Sequence, residues 1–369
     1  VSGTASVDNV LVGYGAGSHA NSTGNTMIGN KAGFRTSGNY NTVLGYRALS
    51  GSSSGDTSHL NVAIGYTAME DSTSAQENVA VGSYAAGDLT TGDYNTVLGY
   101  SALRVGTTAS RNVAIGYSAM LEFVEGDTRN TAVGMYAMHR TESGSHNVAM
   151  GYEAMKGANS SYDSDYNVAI GSSTMYSNAG GDSNTVIGYA AGYNITTGGD
   201  NVHIGYQAGY TQSTATAATL LGYKAGYTNN ANSLVAVGKN AGYSNSSAAN
   251  NTMIGFSAGH TTSTGGSNVY VGYQSGYGLN TTHNVVIGNN AISNGLNTSD
   301  SLVVIGSEAA YNGGGGSAIA IGKQTLYRPR GNYNIAVGEQ AMYGSASVTT
   351  AEHNVAIGRR ALFSATSTP

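Results

Sequence analysis

Three kinds of side chain in this sequence have types and spacings that could do chemistry: tyrosine phenols, histidine imidazoles and asparagine amides in glycosylation triplets. The chain holds 27 Tyr and eight His, with no Cys, so thiol nucleophiles, disulfides and Cys-ligated metals are excluded. The histidines (His19, His59, His139, His146, His203, His260, His283 and His353) are scattered, without the Cys/His or His-x-x-x-His spacing of a metal site. No nucleophile, base and orienting group recur together, and no phosphate loop opens a helix. The expectation is a protein that is not an enzyme and holds no metal or cofactor. Seven Asn-x-Ser/Thr triplets begin at Asn21, Asn159, Asn194, Asn245, Asn250, Asn280 and Asn297. These are candidate sugar acceptors, although a chain so rich in Asn, Ser and Thr produces about this many by chance.

The elements that position these groups follow from one short phrase, Asn-Val-Ala-Ile-Gly-Tyr-x-Ala and its variants, which recurs 21 times between Asn9 and Leu362. Its glycine, numbered zero, occupies Gly13, Gly29, Gly45, Gly65, Gly116, Gly205, Gly272, Gly358 and thirteen positions between. The twenty intervals span 345 residues and stay between 16 and 20. That regularity leaves no room for an inserted domain, so residues 1–369 read as a single repeat domain, a parallel β-solenoid with one continuous core. Too many Gly and β-branched residues recur for helix, and no 3.6-residue stripe survives.

Upstream of the glycine the side chains alternate with period two. Position minus one is always Val, Ile, Leu or Met, and minus three is always β-branched. Both suit a pleated strand, and this pair is expected to face the interior of the roll. Minus two is also mostly apolar, which implies burial on both faces. A turn of about 17 residues can cover one face, so the other is expected to meet a second chain. Rungs with Gly at plus four carry a large residue at minus two in seven of eight cases, whereas rungs with Met, Leu or Ile there carry Ala at minus two in eight of eleven. Large faces small, as close packing demands. Minus two and plus four therefore share one layer, and Leu11, Met27, Ala114, Met120, His203 and Tyr270 are candidates for an inter-chain layer. The invariant glycine, as at Gly13, Gly45, Gly65, Gly116, Gly205, Gly272 and Gly358, is expected at a corner that needs positive φ or excludes a Cβ. Asn opens 17 of the 21 rungs at minus four, where stacked amides can bond along the axis.

Ten tyrosines sit at plus one and nine at plus five. Columns of such rings either cover rung edges or offer an adhesive face for sugar. The formal net charge of −5 without a basic cluster argues against nucleic acid or an anionic membrane as partner. No apolar run approaches the roughly 20 residues that cross a bilayer.

Asn61-Val62-Ala63-Ile64-Gly65, Asn112-Val113-Ala114-Ile115-Gly116 and Asn354-Val355-Ala356-Ile357-Gly358 resemble the head repeats of trimeric autotransporter adhesins of the YadA type. Similar Gly-Tyr-x-Ala rungs occur in phage tail-fibre proteins. The resemblance spans nearly the whole chain and implies a left-handed parallel β-roll built from three chains. The rungs here are longer and richer in Tyr, and no neck, stalk, membrane barrel or fibre chaperone is visible. From residues and resemblance together, the expected role is an extracellular structural fibre of oligomeric rolls stacked end to end, at a cell or virion surface, with itself as partner. The alternative is an adhesin or tail-fibre shaft that binds host glycans.

Overall fold

In the computed structural model, the described residues are 8–18, 22–52, 55–123, 128–141, 143–157, 163–293, 300–312, 315–328, 331–344 and 352–363. They form an all-β parallel solenoid of 21 three-residue strands, running from β1 (Val10–Val12) through β7 (Val113–Ile115) to β21 (Val355–Ile357). The fold falls into two compact units, Val1–Ile187 and Gly188–Pro369. In each unit, consecutive strands pair in parallel and in register, so that like positions lie over like: Val43 on Ala63, Ala236 on Met253. The loops between phrases add two isolated bridges, Thr36 to Asp56 and His59 to Gln76, and no helix among the described residues.

The structure reverses the expected faces of the strand. In every strand but β1 the middle residue, minus two, is the buried one, while minus three and minus one are half-buried or exposed. The interior is too narrow for two large side chains per strand. Opposite minus two it must also hold the residues at plus three and plus four, such as Ala119 and Met120, both fully buried. One inward residue per strand is what a roll this thin admits.

For the same reason the large-with-small layer belongs to a single chain. Met27, Ala114, Met120, His203 and Tyr270 are all fully buried with only one chain present, while Leu11, on the outermost described rung, is 42% exposed. A Cβ added at Gly33 would strike the Met27 sulfur, and one at Gly226 would lie 2.7 Å from Leu220 Cδ2. The large minus-two residue thus fills the space its own rung leaves at plus four. Ala236, which pairs with Gly242, breaks the rule because Met253 and Leu234 lean into that space instead.

Four backbone positions per rung have positive φ: minus five, zero, plus two and plus four. At plus four even Leu103, Met120 and Ile292 are left-handed, with φ of 46°, 52° and 45°. Such residues cost about 1 kcal/mol each, a strain offset by the hydrogen bonds that continue around the turn, as from Leu103 N to Ala119 O. The corner glycines differ, with φ near +140° and the next rung's glycine carbonyl where a Cβ would be. They satisfy both expected reasons for glycine at once.

Candidate functional site

The buried amides form the most continuous polar feature. In the first unit Asn25, Asn41, Asn61, Asn78, Asn95, Asn112, Asn130, Asn147 and Asn167 stack, each backbone N–H donating to the side-chain oxygen of the Asn one rung before. Eight of these nine amides also donate to a loop carbonyl 13–17 residues further along the chain, Asn112 instead donating to Ser110 O in its own rung. Asn95 Nδ2, for example, donates to Ala109 O at 2.7 Å, so a corner carbonyl that would be orphaned is satisfied. The ladder breaks at adjacent pairs of rungs, Ala218 with Leu234 and Leu302 with Ala318, all buried. Where plus three is not Ala, the hydroxyl finds an internal carbonyl, as from Ser275 Oγ to Val286 O.

Two side chains in the apolar layer lack that provision. Neither ring nitrogen of His203 has a hydrogen-bond partner, nor does the Tyr270 hydroxyl. Burial pushes the His203 pKa down to about 3, with nearby Gln212 pulling slightly the other way without reaching hydrogen-bond geometry. Burial likewise pushes the Tyr270 phenol up. His203 is therefore a neutral imidazole held in the core. A second polar cluster, unforeseen from sequence because its members are far apart in the chain, lies in the first unit. There the buried Asp56 accepts from Thr36 Oγ1 and from the Ser58 backbone N–H, and burial raises its pKa despite those bonds. It has no imidazole partner among its hydrogen bonds. Among the described residues no group of three or more His, Cys, Asp or Glu is placed to hold a metal ion.

The tyrosines form ordered columns. At plus five, in the second unit, Tyr193, Tyr210, Tyr227, Tyr243, His260 and Tyr277 stack without a gap, with centroids 4.9–5.2 Å apart and planes within 20°. At plus one, Tyr189, Tyr206 and Tyr223 stack at 5.2–5.3 Å, and Lys239 extends their line by lying over both Tyr223 and Phe256. In the first unit Tyr46, Tyr66, Tyr84, Tyr100, Tyr117 and Tyr136 run on through changes of register. Where Ser83 or Met135 occupies plus one, the neighbouring Tyr84 or Tyr136 supplies the ring. Face-to-face stacking hides ring faces against one another and leaves edges and phenols outward. In the parallel stretches the rings thereby cover rung edges.

Beside the plus-one column the outward residues of successive strands line up, among them Leu44, Leu98, Leu221, Ile254 and Ile305, each more than a third exposed. The sugar-acceptor candidates divide. Asn250 and Asn280 are exposed and Asn194 is half-buried. Asn245 is fully buried, its amide bonded to Asn229 Oδ1, and cannot carry sugar in the folded chain. Asn21, Asn159 and Asn297 lie outside the described residues. No helix among the described residues is long and apolar enough to cross a membrane. Comparisons of the chain with protein-family profiles, with curated proteins and with solved structures find no match.

Proposed function

We propose that this chain is the subunit of an extracellular structural fibre in which copies of the solenoid associate side by side and stack end to end. One observation carries the reading. The roll fills its own interior, yet leaves an apolar strip on the outer face of strand after strand, at minus three and minus one. A strip of Val, Ile, Leu and Thr repeating at about 4.8 Å per rung is matched in period by another roll of the same kind. Extended exposed apolar surface of this sort marks an association site. The partner chains that the sequence places against minus two belong here instead, on minus one and minus three. A three-chain arrangement is the form implied by the adhesin-like repeats.

End-to-end stacking would continue the parallel, in-register pairing that joins successive strands within a unit, as Ala236 with Met253. Electron microscopy of the purified chain with sedimentation velocity tests the proposal. Fibres or defined oligomers are expected, and dispersed monomers at micromolar concentration would overturn it.

A further inference from the structure

We propose that the stacked plus-one tyrosines are sites of oxidative coupling, each pair closing to a dityrosine that staples one rung covalently to the next. The inference rests on ring geometry alone and is independent of the fibre reading. Tyr206 and Tyr223 are held 5.2 Å apart between centroids with planes 6° from parallel, Tyr46 and Tyr66 5.3 Å apart at 9°, and Tyr100 and Tyr117 5.2 Å apart at 10°. All six are 42–49% exposed, so a soluble oxidant reaches them. The in-register backbone fixes each pair before any reaction, which removes the entropic cost of bringing two radicals together. With planes near parallel and centroids 5.2–5.3 Å apart, each ring lies alongside its neighbour along the column. The chain has no Cys, and tyrosine is the side chain through which it can form a covalent cross-link of this kind.

The step balances with a one-electron oxidant such as tris(bipyridine)ruthenium(III). Each phenol gives one electron to one ruthenium(III), which becomes ruthenium(II), and releases its O–H proton to water. The two phenoxyl radicals form one carbon–carbon bond between ring positions ortho to oxygen. The two ortho hydrogens then move to the oxygens as protons, through solvent, and restore both aromatic rings. The product has lost two electrons and two protons overall.

The column contains its own controls, because Tyr66–Tyr84, Tyr84–Tyr100 and Tyr117–Tyr136 meet edge to face at 72–87°, which points an edge of one ring at the face of the other. The folded chain would be treated with limiting ruthenium(III), digested, and its cross-linked peptides quantified by mass spectrometry. Coupling at the three stacked pairs is expected to exceed that at the edge-to-face pairs by about tenfold, and to lose that preference in guanidinium. Tyr223→Phe should abolish the Tyr206–Tyr223 cross-link while leaving Tyr206 able to couple to Tyr189, on which it also stacks at 5.3 Å, and sparing Tyr46–Tyr66. The column accepts Phe, since Phe256 stacks on Tyr273 in the same position at 5.2 Å. Equal coupling at stacked and edge-to-face pairs, the same distribution in the unfolded chain, or oxidation without dityrosine at the stacked pairs would overturn the proposal.

Discussion

The α-carbon of Gly116 faces the carbonyl of Gly134 on the next rung so closely that a Cβ there would sit 2.5 Å from its oxygen. The obstacle is backbone already fixed in the sheet, so nothing flexible can yield. Gly116 also has a φ of +137°, where L side chains are strained. Gly116→Ala is therefore expected to cost about 3 kcal/mol or more, read as a fall in the urea midpoint with the amide ladder disrupted on both sides.

A milder clash separates shape from backbone. At Gly226 an added Cβ meets the terminal carbons of Leu220, a side chain that can itself be changed. Leu220→Ala alone should cost about 2–5 kcal/mol through the cavity it leaves, and Gly226→Leu alone about 1–3 kcal/mol by overpacking. Together they recreate the arrangement of Ala320 with Leu326, which the fold already accommodates with Leu326 at a φ of 48°. The double variant should be more stable than the sum of the two single changes predicts. Additive losses in a double-mutant cycle would show that minus two and plus four do not share one space.

The same pair shows how far sequence alone carried the fold. The strand, the parallel repeat, the glycine corner and the volume exchange between Leu220 and Gly226 are all legible, because each leaves a residue type at a fixed offset. The facing of the strand is not. Val113, Ala114 and Ile115 are apolar on both sides, and the alternation says that two faces differ without saying which is inside. The left-handed turn was hidden too, since plus four holds Met120 or Leu103 as readily as Gly226, and helix-like residue types conceal a φ near +50°. The tyrosine columns were visible as positions, but that Tyr84 replaces Ser83 in the stack depends on turn geometry. The cluster of Thr36, Asp56 and Ser58 left no signal, because its members are joined by loops of unequal length.

His203 should make the second unit sensitive to acid. Its folded pKa, about 3, lies below the value near 6.5 of an exposed histidine. Between these values the unfolded chain takes up a proton that the native core refuses, so stability falls as pH drops below about 6.5, and above that value the group has no effect on the slope. His203→Leu places in the layer the residue that occupies the same position one rung on, at Leu220. Comparing urea midpoints at about pH 7 and pH 4.5, the unsubstituted chain should lose about 2–3 kcal/mol more than the variant. Parallel losses would mean that the imidazole is protonated in the fold.

Adjacent residues of one strand offer the sharpest test of the facing. Val97 is fully buried, while its neighbour Leu98 is 47% exposed on the outer strip. Val97→Lys would force an ammonium with no partner into a packed layer and should leave the chain unfolded or aggregated. Leu98→Lys puts the charge in water, so circular dichroism and the urea midpoint should stay close to those of the parent, within about 0.5 kcal/mol. If copies associate through the strip, the same Leu98→Lys change buries a charge between them. Sedimentation velocity should then show a shift toward monomer that weakens as salt is raised and repulsion is screened. A folded Leu98→Lys chain that assembles as well as the parent would remove this face from the interface, and a folded Val97→Lys chain would return the interior of the roll to minus one and minus three.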